Sequence, residues 1–291
     1  MWPKVPDQHK PGKPLVPWGL GVAYVLFATV YLFLMYFLNI DSSPNGNVSA
    51  SLTLAVCILF GGFMGMLDDW IDLKWRYKAF MPLIAALPLM YYAIANSEAV
   101  RTSISLPIVG MVDFGIYYYF AIIPLIVMIV TNAINMLGGL NGLETVCPAI
   151  VLIGLMAIST QPAQILMAGP LILWLILALF NIQGRLFVGN TGSFAIGLTL
   201  ASYAVVTDLK SSLVISILPY IFNSAIILLS VFFVRKKASV TFDGTRLVSE
   251  HKRSLVTIIT YHRPLTERQV VAIIAAIVAV FTALGAFYHF T

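Results

Sequence analysis

Three aspartates, Asp68, Asp69 and Asp72, fall within five residues of a chain that has only twelve acidic side chains. They follow Gly61-Gly62-Phe63-Met64-Gly65 directly and precede Lys74, Arg76 and Lys78. The i, i+4 spacing predicts Asp68 and Asp72 on one helical face, with Asp69 beside them. Carboxylates packed this closely repel one another unless a cation or basic side chains intervene. Mg²⁺ suits such a place, because it takes one or two carboxylates and fills its octahedron with water and substrate phosphate oxygens. Lys74, Arg76 and Lys78 would then hold the rest of an anionic substrate. A solvated loop that anchors a helix end is the plainer alternative, and three acids at this spacing argue against it.

Two further stretches carry polar chemistry at the ends of apolar runs. Asn132, Asn135 and Asn141 lie among Gly138, Gly139 and Gly142. Glycine lets a backbone approach a ligand closely, and asparagine amides read donor and acceptor edges such as those of uracil. Gly189-Asn190-Thr191-Gly192-Ser193 opens another run, where its backbone N–H groups would meet a phosphate or its hydroxyls would cap a helix. Arg235-Lys236-Lys237 reads as a basic cluster just inside a span. The four histidines do not share a metal-ligand spacing.

The elements that must position these residues are membrane helices. Of the 291 residues, 60% are hydrophobic and 10% charged, and mean hydropathy is +0.93. Soluble domains carry about 45–50% apolar and about 25% charged residues, so no soluble domain fits. Runs near the roughly 20 residues needed to cross a bilayer predict nine spans, approximately 18–39, 49–67, 79–96, 117–137, 145–160, 164–182, 193–207, 211–233 and 269–290. The fold class expected is therefore all-α, a single polytopic membrane domain over residues 1–291. Cys57 and Cys147 fall inside apolar runs, as buried hydrophobes do. Fifteen of the seventeen Lys and Arg lie in one set of loops; only Arg101 and Lys210 lie in the other. That bias predicts a cytoplasmic N-terminus and an outside C-terminus, with the chemical loops facing the cytoplasm. The basic face suits anionic headgroups or phosphorylated substrates, and no domain is present to present it to nucleic acid.

The order of these stretches, from Asp7-Gln8-His9-Lys10-Pro11-Gly12 through Asp68-Asp69 and Asn132 to Gly189-Asn190-Thr191-Gly192-Ser193, resembles the polyprenyl-phosphate N-acetylhexosamine-1-phosphate transferases, glycosyltransferase family 4. Thr131-Asn132-Ala133-Ile134-Asn135 and Leu140-Asn141-Gly142-Leu143-Glu144 are most similar to the archaeal and eukaryotic UDP-GlcNAc:dolichyl-phosphate enzymes. The resemblance implies Mg²⁺-dependent transfer of GlcNAc-1-phosphate (Mn²⁺ as an alternative ion) from UDP-GlcNAc to a polyprenyl or dolichyl phosphate in the inner leaflet. It places the protein in the cell or endoplasmic reticulum membrane, and it allows a homodimer. By position it assigns Asp68, Asp69, Asp72 and Lys78 to catalysis, and Asp69, Asn132 and Asn190 to the metal. It also assigns Lys10, Asn132, Asn135, Asn141, Glu144, Asn181, Phe187, Arg235 and Lys237 to substrate binding, with Phe187 stacked on uracil.

Two departures stand out against the family pattern. Asn190 occupies the position of a metal-ligating aspartate, and the nine runs omit the family's first helix. They keep a non-catalytic lipid-binding homologue in view as a rival reading. An intramembrane prenyltransferase would need two separate Asp-rich motifs, and one is present. A transporter would show internal repeats or ionisable groups mid-span, and neither is seen.

Overall fold

The computed structural model describes residues 2–40, 48–107, 109–236 and 238–290, so Lys237 lies outside the described residues. The chain begins with a short hairpin of β1 (Lys4–Pro6) and β2 (Leu15–Pro17), then runs through α1 (Gly21–Phe37) and α2 (Ala50–Ile71). The next crossing is broken into α3 (Trp75–Phe80), α4 (Pro82–Ala85) and α5 (Leu87–Ala95). A hairpin of β3 (Ser103–Leu106) and β4 (Gly110–Asp113) leads by a π-helical turn into α6 (Ile123–Met136). Four helices follow: α7 (Leu143–Ile158), α8 (Gln161–Ile182), α9 (Gly189–Val206) and α10 (Lys210–Ser216). After α11 (Leu218–Leu229) come the hairpin of β5 (Thr241–Phe242) and β6 (Leu247–Val248), α12 (Leu255–Ile259) and α13 (Glu267–Tyr288).

Among the described residues, five helices are long and apolar enough to cross a membrane, and a sixth is reached if the pair α10–α11, bent by 55°, is taken as one span. The chain is thus a mostly helical integral membrane protein. The other three predicted runs are helical as well, as α1, α7 and α9, the first two being shorter than the rest. Pro82 and Pro219 stand at the breaks of the two interrupted crossings, where the missing N–H and fixed φ end one helix and start the next. The three small hairpins were not foreseen, because strands of two to four residues leave no periodic pattern to read.

Helix α9 forms the centre of the bundle: every residue except Asn190 is buried. It packs along α2, α6 and α1. Small residues permit this approach, as they do wherever membrane helices pack tightly. A Cβ added to Gly65 would sit 2.2 Å from the Asn190 carbonyl oxygen, and one on Gly61 would sit 2.8 Å from that of Phe194. Two connections and the end of α13 meet at one end of the bundle, where Arg101 bonds Asp208 at 2.6 Å and Ser105 bonds Tyr288 at 2.9 Å. The first hairpin, the α2 end, the α6–α7 loop, the α8–α9 loop and the start of α13 gather at the other.

Candidate active site

Asp69 lies in the last turn of α2, and its carboxylate caps α9. Its Oδ1 accepts from the main-chain N–H of Asn190 at 2.9 Å and the indole N–H of Trp18 at 3.0 Å. Its Oδ2 accepts from the Thr191 N–H at 2.9 Å and the Thr191 hydroxyl at 2.7 Å. Four donors therefore fill this carboxylate, and the positive end of α9 faces it. The N–H groups that the sequence offered to a phosphate are taken by Asp69, and the cap comes from a different helix rather than from Ser or Thr at α9 itself.

Asp68 turns the other way. It is only 3% exposed; Oδ1 accepts from the Leu73 N–H at 3.0 Å and pairs with Lys78 Nζ at 2.8 Å. Its Oδ2 is buried and has no hydrogen-bond partner among the described residues. Asp72 is not on the helical face expected for it. Helix α2 ends at Ile71, and Asp72 follows with φ of 44°, exposed to solvent. What joins Asp72 to Asp68 is Lys78, 3.3 Å from the Asp72 Oδ1. Arg76 stands over the Trp75 ring, at 5.7 Å from its centroid.

The α6 asparagines divide the work. Asn135 Oδ1 accepts from Ser193 Oγ at 2.9 Å, and the same hydroxyl lies 3.3 Å from the Asn190 carbonyl oxygen. Asn135 and Asn190 are thereby joined through one side chain. Asn132 instead donates its amide to the carbonyl oxygens of Met128 at 2.8 Å and Ala79 at 3.2 Å, which ties α6 to the α3 end. Among the described residues, no three His, Cys, Asp or Glu side chains converge as a metal cluster. A hard divalent cation here would depend on amide oxygens together with oxygens of its ligand.

A second polar knot lies beside the first. Asn181, buried on α8, accepts from the Gly142 N–H at 2.7 Å and the Thr145 hydroxyl at 3.0 Å, and donates to the Leu186 carbonyl at 2.9 Å. Gly142 has φ of 101°, a conformation that glycine adopts without strain, and it turns the chain into α7. Asn141 donates to Asp7 and Glu267, and Glu267 pairs with Lys10 at 3.4 Å. Glu144 Oε1 accepts from the Gly139 N–H at 3.0 Å. The Phe187 ring meets Trp18 edge to face at 5.8 Å, and its backbone zips to Pro17 and Leu20. A cavity of about 380 Å³ opens alongside, lined among others by Gln8, His9, Gly138, Gly139, Asn223 and Ser239.

The glycosyl transferase family 4 model matches residues 51–208, which hold Asp68, Asp69, Asn135 and Asn190. The chain belongs to glycosyl transferase family 4. It is 30% identical over 288 residues, 96% of this chain and 86% of the relative, to a putative UDP-N-acetylglucosamine–dolichyl-phosphate N-acetylglucosaminephosphotransferase of Saccharolobus solfataricus. The enzyme of that name from Schizosaccharomyces pombe is 30% identical over 205 residues, 63% of this chain and 46% of the relative. A phospho-N-acetylmuramoyl-pentapeptide-transferase of Clostridium perfringens is 28% identical over 264 residues, 83% and 75% of the two chains.

Within this family-4 chain, the structure brings Asp69 and Asn190 into direct contact and reaches Asn135 through Ser193. It joins Asp68, Asp72 and Lys78 in one ion-paired group, and Lys10, Asn141 and Asn181 in the neighbouring knot. Arg235 follows the π-helical end of α11 with φ of 54° and is exposed. The sequence assigned no role to Trp18 or Glu267, and Asp7 entered only as the first residue of a matching stretch. A signal existed for Glu267, one of few acids and placed at the mouth of an apolar span. None existed for Trp18, whose role depends on a residue 51 positions away.

Proposed function

We propose that this protein transfers GlcNAc-1-phosphate from UDP-GlcNAc to a polyprenyl phosphate of the dolichyl type, releasing UMP. The observation that carries this reading is the meeting of the α2, α6 and α9 ends in a family-4 chain, where Asp69 bonds Asn190 and Ser193 links Asn190 to Asn135. The activity for which the Saccharolobus and Schizosaccharomyces relatives are named supports the substrates. The Lys and Arg bias supports a cytoplasmic site and N-terminus, with nine crossings from α1 to α13.

The donor set fits Mg²⁺. The Asn135 and Asn190 side chains carry neutral oxygens of the hard kind that this ion prefers, and substrate phosphate oxygens would complete its shell; the Asp68 Oδ2, buried without a partner among the described residues, is kept for the proton. When bound, the ion would offset charge on the transferring phosphoryl group. Asp69 is not assigned to it, because its four acceptor positions are filled; its task is to hold α9 against α2.

A lipid phosphate oxygen attacks the sugar-bearing phosphorus, the bond to the UMP oxygen breaks, and a diphosphate bond forms. Asp68 accepts the proton of the lipid phosphate, with Lys78 holding its other oxygen and offsetting negative charge. Lys10 and the Asn141 loop lie on the nucleotide side, and Phe187 supplies a ring beside them. The test is transfer of labelled GlcNAc-1-phosphate to dolichyl phosphate by purified protein with and without Mg²⁺. Transfer that needs Mg²⁺ and disappears in Asp68→Asn supports the reading. Activity only in Asn190→Asp identifies a disabled metal site, and silence in every variant with every UDP-sugar favours the non-catalytic homologue.

A further inference from the structure

Arg101 and Lys210 are the two basic residues that the loop bias sets apart from the other fifteen. The fold brings both to one cavity of about 330 Å³, at the end of the bundle opposite the candidate active site. Asp208 is the one acid lining it among the described residues, so a single carboxylate faces two cations. Both of its oxygens are committed. Oδ1 accepts from the Arg101 main-chain N–H at 3.2 Å and from Lys210 Nζ, and Oδ2 accepts from Arg101 Nε at 2.6 Å. Lys210 is buried, and its ammonium also meets the Arg101 carbonyl oxygen and stands over the Tyr118 ring at 4.7 Å. Lys210 is therefore spent inside the protein, whereas Arg101 is not. Its guanidinium uses Nε alone, its terminal N–H groups have no partner among the described residues, and its side chain is 73% exposed.

The rest of the lining supplies donors without further charge. Ser211 Oγ accepts from the Ser105 N–H at 3.0 Å, which leaves its own proton to give, and the Ser103 hydroxyl bonds none of the described residues. Beside these groups the lining turns apolar at Met111, which is 75% exposed, and exposed Ile116, Tyr117 and Phe120 continue from there toward α6. We propose that this cavity is a second phosphate site, one that takes the headgroup phosphate of a membrane lipid whose chains lie on the Met111 side. A net positive charge, a guanidinium fork with free N–H groups and two hydroxyl donors match a phosphate, which accepts several bonds and pairs with arginine in bidentate fashion. The volume lies at the lower end of the roughly 300–1,000 Å³ of small-ligand pockets, enough for a headgroup but not for its chains. Because β3, β4, α10 and the end of α13 all contribute walls, a phosphate held there clamps four elements together. None of the transferase-site residues takes part.

The experiment follows thermal unfolding of purified full-length protein in detergent, with EDTA present so that no divalent ion serves the opposite end. The added probes are short-chain phosphatidylglycerol, the short-chain diacylglycerol that lacks its phosphate, and sodium phosphate. Phosphatidylglycerol at about ten times its half-saturating concentration raises the midpoint of the parent by about 3–6 °C. Diacylglycerol leaves the midpoint unchanged, and sodium phosphate at the same concentration gives less than half the gain, since it lacks the chains. In Arg101→Gln, which removes the fork and its charge, the gain from phosphatidylglycerol disappears when measured from that variant's own midpoint. Ser103→Leu fills the cavity and leaves the Arg101–Asp208–Lys210 pairing in place; it abolishes the gain too, and it carries the test if Arg101→Gln does not fold. A parent that gains nothing, an equal gain from diacylglycerol, or a gain that survives in both variants overturns the site. A gain from sodium phosphate equal to that from phosphatidylglycerol, and lost in both variants, supports a phosphate site and overturns the lipid as its source.

Discussion

Replacing Asp69 by alanine tests whether this acid is a scaffold or a metal ligand. The substitution leaves the Asn190 and Thr191 N–H groups, the Thr191 hydroxyl and the Trp18 indole without their acceptor. Each buried donor left unmet costs about 1–3 kcal/mol, and the half-buried setting lets water replace part of that. A net loss of about 3 kcal/mol is expected, the two main-chain groups contributing most. For a chain of this size about 1 kcal/mol lowers Tm by roughly 2–4 °C, so the midpoint should fall by about 6–12 °C. Asp69→Asn keeps one acceptor oxygen and should lose about half as much. The assay is thermal unfolding of detergent-purified protein followed by tryptophan fluorescence, run in EDTA and again in Mg²⁺. Because the cap involves no ion, the loss must persist in EDTA. If Asp69→Ala melts with the parent in EDTA and falls only in Mg²⁺, the capping argument is refuted and Asp69 belongs to the metal.

Other substitutions separate the remaining groups. Asp68→Asn removes the partnerless oxygen's charge and should lower transferase turnover by about 100-fold or more while Asn190-dependent packing survives, as a melting curve within a few degrees of the parent would verify. Asn190→Asp adds a charged oxygen at the start of α9, and titration of activity with Mg²⁺ should reach half-maximum at about a tenfold lower concentration. Asn181→Leu strands the Gly142 N–H and the Leu186 carbonyl and should cost about 2–4 kcal/mol, read as a lowered melting midpoint. At the opposite end, Asp208→Asn deprives buried Lys210 of its counter-charge; about 3–5 kcal/mol of stability should go while KM for UDP-GlcNAc stays put.

How much of this could be read in advance depended on how local each feature is. The helical elements followed from hydropathy, since each run is decided by its own residues; the ends differ by a few positions, as at 49–67 against Ala50–Ile71. The aspartate loop was found by composition, but the directions of its acids were not. Periodicity put Asp68 and Asp72 together, whereas the helix stops one residue short of Asp72 and Lys78 does the joining. Asp69 and Asp68 are adjacent in sequence and face different partners, one an α9 terminus 121 positions away. Asn132 and Asn135 look equivalent as text; only the packing of α6 against α9 turns Asn135 toward Ser193. The Asp7–Asn141–Glu267 contact joins three stretches separated by more than 120 residues, and no local pattern encodes it.

Burial of α9 on all sides also bears on how the protein is made. A helix that shows lipid no apolar stripe, and that carries Asn, Thr, Ser and Gly through its first turns, gains little by entering a bilayer alone. Its place is secured by neighbours, chiefly the glycine-lined side of α2, the α6 end and α1, all synthesised earlier. The Asp69 cap can form only once α9 has slotted between them. Insertion and assembly are therefore one event for this segment, and the site is completed by a helix that the membrane does not recruit and the rest of the protein must receive.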